Sequence, residues 1–406
     1  MGDFSSSGLD MNKEICVTGL GIISAIGYNR EENLRSLMQQ RTGIHLVELL
    51  IDKGEHAFMA GEIRSTNPQI AALTGCDKSS DLPRSALLAI VAVREAMDQA
   101  GISGEDPWRT GIVLGNTVGG MDLTEKYYHK FPGNNTYIKS HSCGYITEQV
   151  ADHLGIRGYA TTISTACSSG ANAIMLGARL IKHGIVDRVI AGGTDALSKF
   201  TYYGFSSLMV VDPQICRPFD KNRAGMNLGE GAGVVVLESV DAAIKRGAKP
   251  LAMLSGYANA NDAYHPTATS PEGNGPFLSM TAALRKAGIE SSRISYINVH
   301  GTGTENNDVT EATALGRVFG NHVPPFSSTK SYFGHTLGAA GGIEAVVSVM
   351  SILNQVVFPN LFFSEPMDGL QLIPVKEVLT NIPVNHVLSN SFGFGGNNTS
   401  LVFSGC

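Results

Sequence analysis

Apolar positions along this chain recur with two periods. Short apolar runs broken by glycine, at 14–24, 111–115, 160–165, 187–193 and 294–300, have the length and composition of strands. Between them lie longer stretches with apolar residues at helical spacing, at 30–41, 85–101, 145–154, 278–287, 308–319 and 338–353. The stretch 44–83 reads as irregular, and a polar, aromatic stretch at 126–137 separates the strand at 111–115 from the helix at 145–154. A long glycine-punctuated connection at 216–238 ends in a strand, and a short helix at 240–247 follows. Around 250–256 the pattern restarts, with further strands near Leu388 and Leu401. Strand-helix alternation predicts α/β layers, and the restart predicts a duplicated unit. The division expected is an N-terminal half at 11–252 and a C-terminal half at 253–406. Residues 1–10 are polar and precede a second methionine, Met11, so they read as a leader outside the fold.

The stretch on which the rest depends is 163–181. Its apolar residues fall on nearly every side from Ile174 to Ile181, which suits a helix buried all round, and Lys182-His183-Gly184 closes it. Cys167 stands where that helix begins. The positive end of the helix dipole and the unpaired N–H groups there are expected to lower its pKa and favour thiolate. An inert buried cysteine is the alternative.

Composition narrows the choice. The chain has 406 residues, 43% hydrophobic and 16% charged, enough for a large core. A net charge of −6 gives no general attraction for nucleic acid or an anionic membrane, so an acidic partner needs a local basic patch. Lys126, Lys130 and Arg64 are the sequence's candidates for it. Six cysteines (Cys16, Cys76, Cys143, Cys167, Cys216 and Cys406) are scattered without metal-ligand spacing, which argues against zinc and a disulfide framework and fits a reducing cytoplasm. No apolar run approaches the roughly 20 residues of a membrane span. Gly19 and Gly21 suggest a nucleotide loop, but the third glycine and the acidic residue of that fingerprint are missing.

Two histidines share the setting of Cys167. His300 ends a strand and enters Gly301-Thr302-Gly303-Thr304, and His335 precedes the glycine-rich helix start at 338–342. Such loops are where α/β proteins keep reacting groups. A single histidine there is often structural. A cysteine at a helix start with two histidines in glycine-rich loops is harder to assign to structure alone.

At these residues the chain resembles the β-ketoacyl-acyl carrier protein synthases of the thiolase superfamily, above all the condensing enzymes I and II of fatty acid elongation. The motifs are Thr165-Ala166-Cys167-Ser168-Ser169, His300-Gly301-Thr302-Gly303-Thr304, the segment from Lys330 through His335 to Gly341, and Asn390-Ser391-Phe392-Gly393-Phe394-Gly395-Gly396. The resemblance runs from about Glu14 to Phe403. It implies a thiolase fold, with two βαβαβαββ halves in a five-layer αβαβα body. It implies a decarboxylative Claisen condensation, in which malonyl-carrier protein reacts with an acyl group held on Cys167 and extends a fatty acyl, polyene or polyketide chain by two carbons. His300 and His335 then bind the enolate oxygen, and the N–H groups of Cys167 and Phe394 form a second oxyanion site. Lys330 and Glu344 support the histidines. Thr302 and Thr304 bind the pantetheine arm, Phe205 and Phe394 gate the pocket mouth, and Val118 sets acyl chain length. The resemblance calls for no metal and no organic cofactor, because phosphopantetheine arrives on the acyl carrier protein. The other partner is a second copy in a homodimer, or a chain-length factor in a heterodimer.

Ala224, Met226-Asn227-Leu228 and Glu305-Asn306-Asn307 depart from the common wording, which leaves housekeeping and specialised pathways both open. A thiolase would use a second cysteine in a late Cys-x-Gly loop, and the only late one here is Cys406. The starter-condensing branch pairs cysteine with histidine and asparagine. A non-catalytic chain-length partner characteristically lacks the nucleophile.

Overall fold

In the computed structural model, which describes residues 13–51, 57–75, 82–102, 108–133 and 135–406, the period-two alternation divides each strand between two cores. On the strand Gly231–Ser239, Val234 and Val236 join one apolar cluster with Leu88, Ala92 and Ala96. Val235 and Leu237 face the opposite way and join Ile174, Ile343 and Val346. A strand buried on both faces needs apolar residues at every position, and this one is buried throughout.

Among the described residues, ten strands form the main sheet. In chain order they are β1 (Ile15–Ser24), β2 (Thr110–Gly115), β3 (Ala160–Ile163), β4 (Arg188–Asp195), β5 (Gly231–Ser239), β6 (Ala252–Asn261), β7 (Tyr296–Asn298), β8 (Phe326–Ser327), β9 (His386–Gly393) and β10 (Asn397–Ser404). Their spatial order is β8-β7-β9-β10-β6-β1-β5-β4-β2-β3. Reading outward from the middle, β1-β5-β4-β2-β3 and β6-β10-β9-β7-β8 are the same arrangement. In each, two antiparallel pairings are followed by two parallel ones. The duplicated unit predicted from the restart near 250 is therefore present as repeated topology. Among the described residues, the two sets pair with each other where Cys16 and Val17 lie opposite Met253 and Ala252.

Five helices complete the layers: α1 (Arg84–Ala100), α2 (Ser169–Lys182), α3 (Asn274–Ala287), α4 (Glu305–Phe319) and α5 (Ala340–Asn354). Helix α1 covers the outer face of the first set, and α3 with α4 covers that of the second. Helices α2 and α5 pack on each other between the two sets, giving αβαβα. This brings the N-terminal ends of α2 and α5 together, since a Cβ at Gly170 would lie 2.7 Å from the Gly342 nitrogen.

The glycines of β1 serve packing. A Cβ on Gly21 would lie 1.8 Å from the Ala92 carbonyl oxygen, and one on Gly19 would lie 2.2 Å from that of Ala96. Helix α1 lies directly on the strand, and no nucleotide loop forms.

Some segments depart from the sequence reading. The irregular 44–83 contains a helix, Asn67–Thr74, whose Thr66 N–H donates to the Gln69 side chain at 2.8 Å. The helix Met121–Tyr127 runs into the polar, aromatic stretch. Lys199–Ser207 is also helical, begun by Ser198 accepting from the Thr201 N–H. Its Thr, Tyr, Phe and Ser content hides the period. Leu337–Asn354 is long and apolar enough to cross a bilayer, contrary to the reading that no run approaches a span, and it is buried within the fold as α5 and the turn before it. The leader assigned to residues 1–10 lies outside the described residues.

Candidate active site

Cys167 lines a cleft of about 610 Å³ together with Phe205, His300, Thr302, His335 and Phe394. The chain reaches it by leaving β3 and turning sharply through Thr165 and Ala166. Ala166 has φ +51°, a left-handed conformation that costs an alanine about 1–2 kcal/mol. The two serines that follow hold the turn. Ser168 Oγ donates to the Thr165 carbonyl at 2.7 Å, while Ser169 Oγ accepts the Thr165 N–H at 2.9 Å and donates to the Ala166 carbonyl at 2.6 Å. Helix α2 begins only at Ser169, two residues beyond the cysteine.

The thiol differs from the sequence expectation. Burial pushes Cys167 up to about 11, against the opposing pull of the Lys330 charge and of the Phe394 and Cys167 N–H groups. Desolvation therefore outweighs the helix terminus, and in the free protein the sulfur is protonated.

His300 is fixed from behind by carboxylates on α4. Its own N–H and that of Gly301 donate to the two oxygens of Glu311 at 2.9 and 2.8 Å, and the Thr302 N–H donates to Asp308 at 3.0 Å. Burial raises both acids, Glu311 to about 7. Lys330 Nζ lies 3.3 Å from His300 Nδ1, donates to the His300 carbonyl at 2.5 Å and pairs with Glu344. Ser391 donates to the other Glu344 oxygen at 3.3 Å. The ammonium on Nδ1 leaves Nε2 as the protonated nitrogen of His300.

His335 reaches the same tautomer by another route. Its N–H donates to the Asn227 carbonyl at 2.7 Å, and its Nδ1 accepts the Leu337 N–H at 3.2 Å. Its buried Nε2 has no hydrogen-bond partner. Burial and the Lys330 charge hold both imidazoles well below the usual histidine range, with the rings acting on each other as well in the case of His300. Two neutral rings thus stand in one cleft, centroids 5.4 Å apart and planes at 84°. Both rings line the cleft, and among the described residues the His335 Nε2–H has no hydrogen-bond partner.

The remaining expectations divide. Thr302 and Thr304 line the cleft with their hydroxyls 2.8 Å apart. Phe205 and Phe394 stack with centroids 5.8 Å apart. Lys330 and Glu344 lie behind His300. Val118 does not line the cleft. Its N–H donates to Asp195 at 3.1 Å, and its side chain packs on the cluster of Val47, Phe58, Leu197, Met226 and Leu337. None of the three proposed docking cations lines the cleft: Arg64 is occupied by His45 and Glu48, and Lys126 and Lys130 lie over the Tyr127 ring. Among the described residues, Arg223 is the arginine or lysine on the cleft wall, and it donates to the Asp220, Thr304 and Glu305 carbonyls. Among the described residues, no group of three or more His, Cys, Asp or Glu is arranged to hold a metal.

Sequence reasoning missed Asp308, Glu311, Asn227 and Asp195. The signal for the first two was present: Asp308, Glu311, Ala312 and Leu315 share one buried helical face, and carboxylates on an apolar face need a task.

The model of the β-ketoacyl synthase N-terminal domain matches residues 12–243, and that of its C-terminal domain matches residues 251–364. The chain belongs to the β-ketoacyl synthase family. It is 34% identical to the 3-oxoacyl-[acyl-carrier-protein] synthase 2 of Vibrio harveyi, over 96% of this chain and 98% of that one. Among solved structures it is similar to the ishigamide ketosynthase/chain length factor, with TM-score 0.90, 30% identity and coverage of 97% and 99% of the two chains. It is also similar to a type II polyketide synthase acyl-carrier protein in complex with its ketosynthase bound to the hexaketide, with TM-score 0.86, 26% identity and coverage of 97% and 100%. The chain is accordingly an acyltransferase of the condensing-enzyme type, and its thiolase fold is that of ketosynthases.

Proposed function

We propose that this synthase extends an acyl chain on Cys167 by decarboxylative condensation with malonyl-acyl carrier protein. The observation that carries the reading is the pair of neutral imidazoles lining the cleft with the cysteine, each with Nδ1 occupied from behind, so that Nε2 is the nitrogen that can donate to a ligand.

In the first half-reaction the Cys167 sulfur attacks the acyl thioester. The carrier's thiol leaves with the proton that Cys167 gives up, so the exchange is balanced thiol for thiol. The oxygen of the tetrahedral intermediate is received by the N–H groups of Cys167 and Phe394, the same two groups that oppose the burial of the sulfur. In the second half-reaction the malonyl C–C bond breaks and carbon dioxide leaves. Its electron pair forms an enolate whose oxygen accepts from His300 and His335. Neutral donors suit this step, because they stabilise developing charge and keep their protons. The enolate carbon then bonds to the acyl carbon, and the Cys167–acyl bond breaks. The thiolate released takes up a proton.

Thr302 and Thr304 are the hydroxyls for the pantetheine arm, and the stacked Phe205 and Phe394 are the gate. The carrier protein is one partner. The other is a second ketosynthase-fold chain, a copy or a chain-length factor, and the relatives solved with such partners support this reading. The products are fatty acyl, polyene or polyketide thioesters.

Incubation with acyl-acyl carrier protein followed by intact-protein mass spectrometry tests the reading. The wild type gains one acyl group and Cys167→Ala gains none. With malonyl-carrier protein, Cys167→Ala still releases carbon dioxide and His335→Ala does not. A wild type that gains no acyl group is a non-catalytic partner.

A further inference from the structure

Asp195 ends β4 with no solvent exposure, and nothing in the reaction described above uses it. Its carboxylate accepts from neutral donors on two separate segments. From the turn after β2 come Asn116 Nδ2 at 2.8 Å, the Thr117 and Val118 N–H groups, each at 3.1 Å from Oδ1, and Thr117 Oγ1 at 2.6 Å. From the second half comes the Gly338 N–H, 2.7 Å from Oδ2. Gly338 follows Leu337, whose N–H fixes the His335 tautomer. The contact leaves no slack, since a Cβ at Gly338 would lie 2.7 Å from the same Oδ2. A buried carboxylate is costly unless its acceptor sites are filled, so these donors belong to it as a set.

The geometry points to Asp195 as a positioning residue that couples the acyl-length turn at Val118 to the alignment of His335. Displacement of the turn by an acyl chain draws on the same carboxylate that places Gly338. A chain of the right length thereby favours the His335 setting needed for decarboxylation. The inference rests on the condensing reading and on Val118 as the length determinant.

The test uses the full-length protein and two readouts. One is the rate of malonyl-carrier protein decarboxylation in the Cys167→Ala background, which requires His335 and no nucleophile. The other is the profile of Cys167 acylation across carrier proteins of graded acyl length. Thr117→Val removes a single bond on the acyl side and leaves His335 untouched. Coupling predicts that it shifts the length profile and also lowers the decarboxylation kcat, with KM little changed. Asp195→Asn should lower that kcat about tenfold, within the range that small misplacements of reacting groups cost, and flatten the length profile. A Thr117→Val that moves the length profile but leaves decarboxylation at its wild-type rate overturns the coupling. So does an Asp195→Asn that scales every rate by one factor. Should Asp195→Asn fail to fold, Thr117→Val alone decides. Failure of the condensing reading is separate, because it appears as a wild type that neither acylates nor decarboxylates.

Discussion

The Leu337 N–H points at His335 Nδ1 from 3.2 Å, and this one contact determines which nitrogen of the ring can donate to a substrate. A ring that accepts on Nδ1 carries its hydrogen on Nε2. Glutamine can place an amide near the position of Nε2, and alanine cannot. His335→Ala is expected to slow malonyl decarboxylation about 10²–10³-fold, the cost of one oxyanion donor, while His335→Gln keeps part of the rate. Because burial and Lys330 hold both imidazoles well below the usual range, the rings stay neutral from pH 6 to 8. Nitrogen-15 spectra of histidine-labelled protein should show Nε2-protonated rings across that interval. A midpoint near 6.5 for either ring would refute the neutral-donor role.

Cys167 makes the opposite case, a group whose reactivity burial suppresses. With its pKa pushed up to about 11, the thiolate fraction rises about tenfold per pH unit throughout the working range. Alkylation by iodoacetamide should follow that slope from pH 7 to 9.5 without levelling. A plateau with a midpoint below 8 would mean that the helix terminus and Lys330 outweigh desolvation after all.

These two groups mark how far the sequence could be read. The strand and helix periods around β1, α2 and α5 were legible because those elements are buried nearly all round, and that of α1 because its buried face runs the length of the helix. The helix Lys199–Ser207 was not, since only Thr201 along it is buried and no stripe results. That Cys167, His300 and His335 belong together was legible from the helix start at the cysteine and the glycine-rich loops at the histidines, and the three line one cleft. The charge state of the thiol was not: a helix terminus is local and visible in sequence, whereas desolvation is imposed by segments more than 100 residues away, such as Lys330 to His335 and Phe392 to Phe394. Asp195 escaped notice for the same reason, as its donors come from 116–118 and 338.

Lys330 and Glu344 are both fully buried, with side-chain exposures of 1% and 0%. Removing one partner strands the other charge. Lys330→Met is expected to destabilise the protein by about 3–5 kcal/mol in chemical denaturation, and Lys330→Met with Glu344→Leu by clearly less. The double variant should still decarboxylate malonyl-carrier protein poorly, because His300 loses the ammonium that fixes its tautomer. Additive losses in the double variant would show that the pair is not coupled.

Gly21 separates packing from ligand binding. A Cβ there meets the Ala92 carbonyl at 1.8 Å, so β1 and α1 must move apart to admit it. Gly21→Ala should lower stability by about 1–3 kcal/mol, the usual cost of overpacking, and should leave the KM for the carrier-bound substrate unchanged. Thermal and urea unfolding with steady-state kinetics check both halves. Unaltered stability with a raised KM would restore a binding role to the glycine pair.

Val118 stands away from the cleft wall but packs on side chains that form part of it. Phe205, Val210 and Met226 line the Cys167 cleft, and the same three side chains belong to the apolar cluster on which Val118 packs. On the proposed function, an acyl group that enters beside Cys167 and follows this apolar surface would run toward Val118. Each further buried CH₂ is worth about 0.8 kcal/mol, several-fold in affinity per carbon, until a side chain blocks the path. Valine is one methylene smaller than isoleucine or leucine, so medium and long acyl chains should be accepted. Val118→Phe should cut turnover of those chains by about tenfold or more while short ones are elongated at nearly the wild-type rate. The Val118 N–H contact to Asp195 is made by the main chain and survives the substitution, so folding should be preserved. Elongation assays across acyl lengths, read with the thermal midpoint of each variant, decide the matter. An equal loss at every length would place Val118 outside the acyl path.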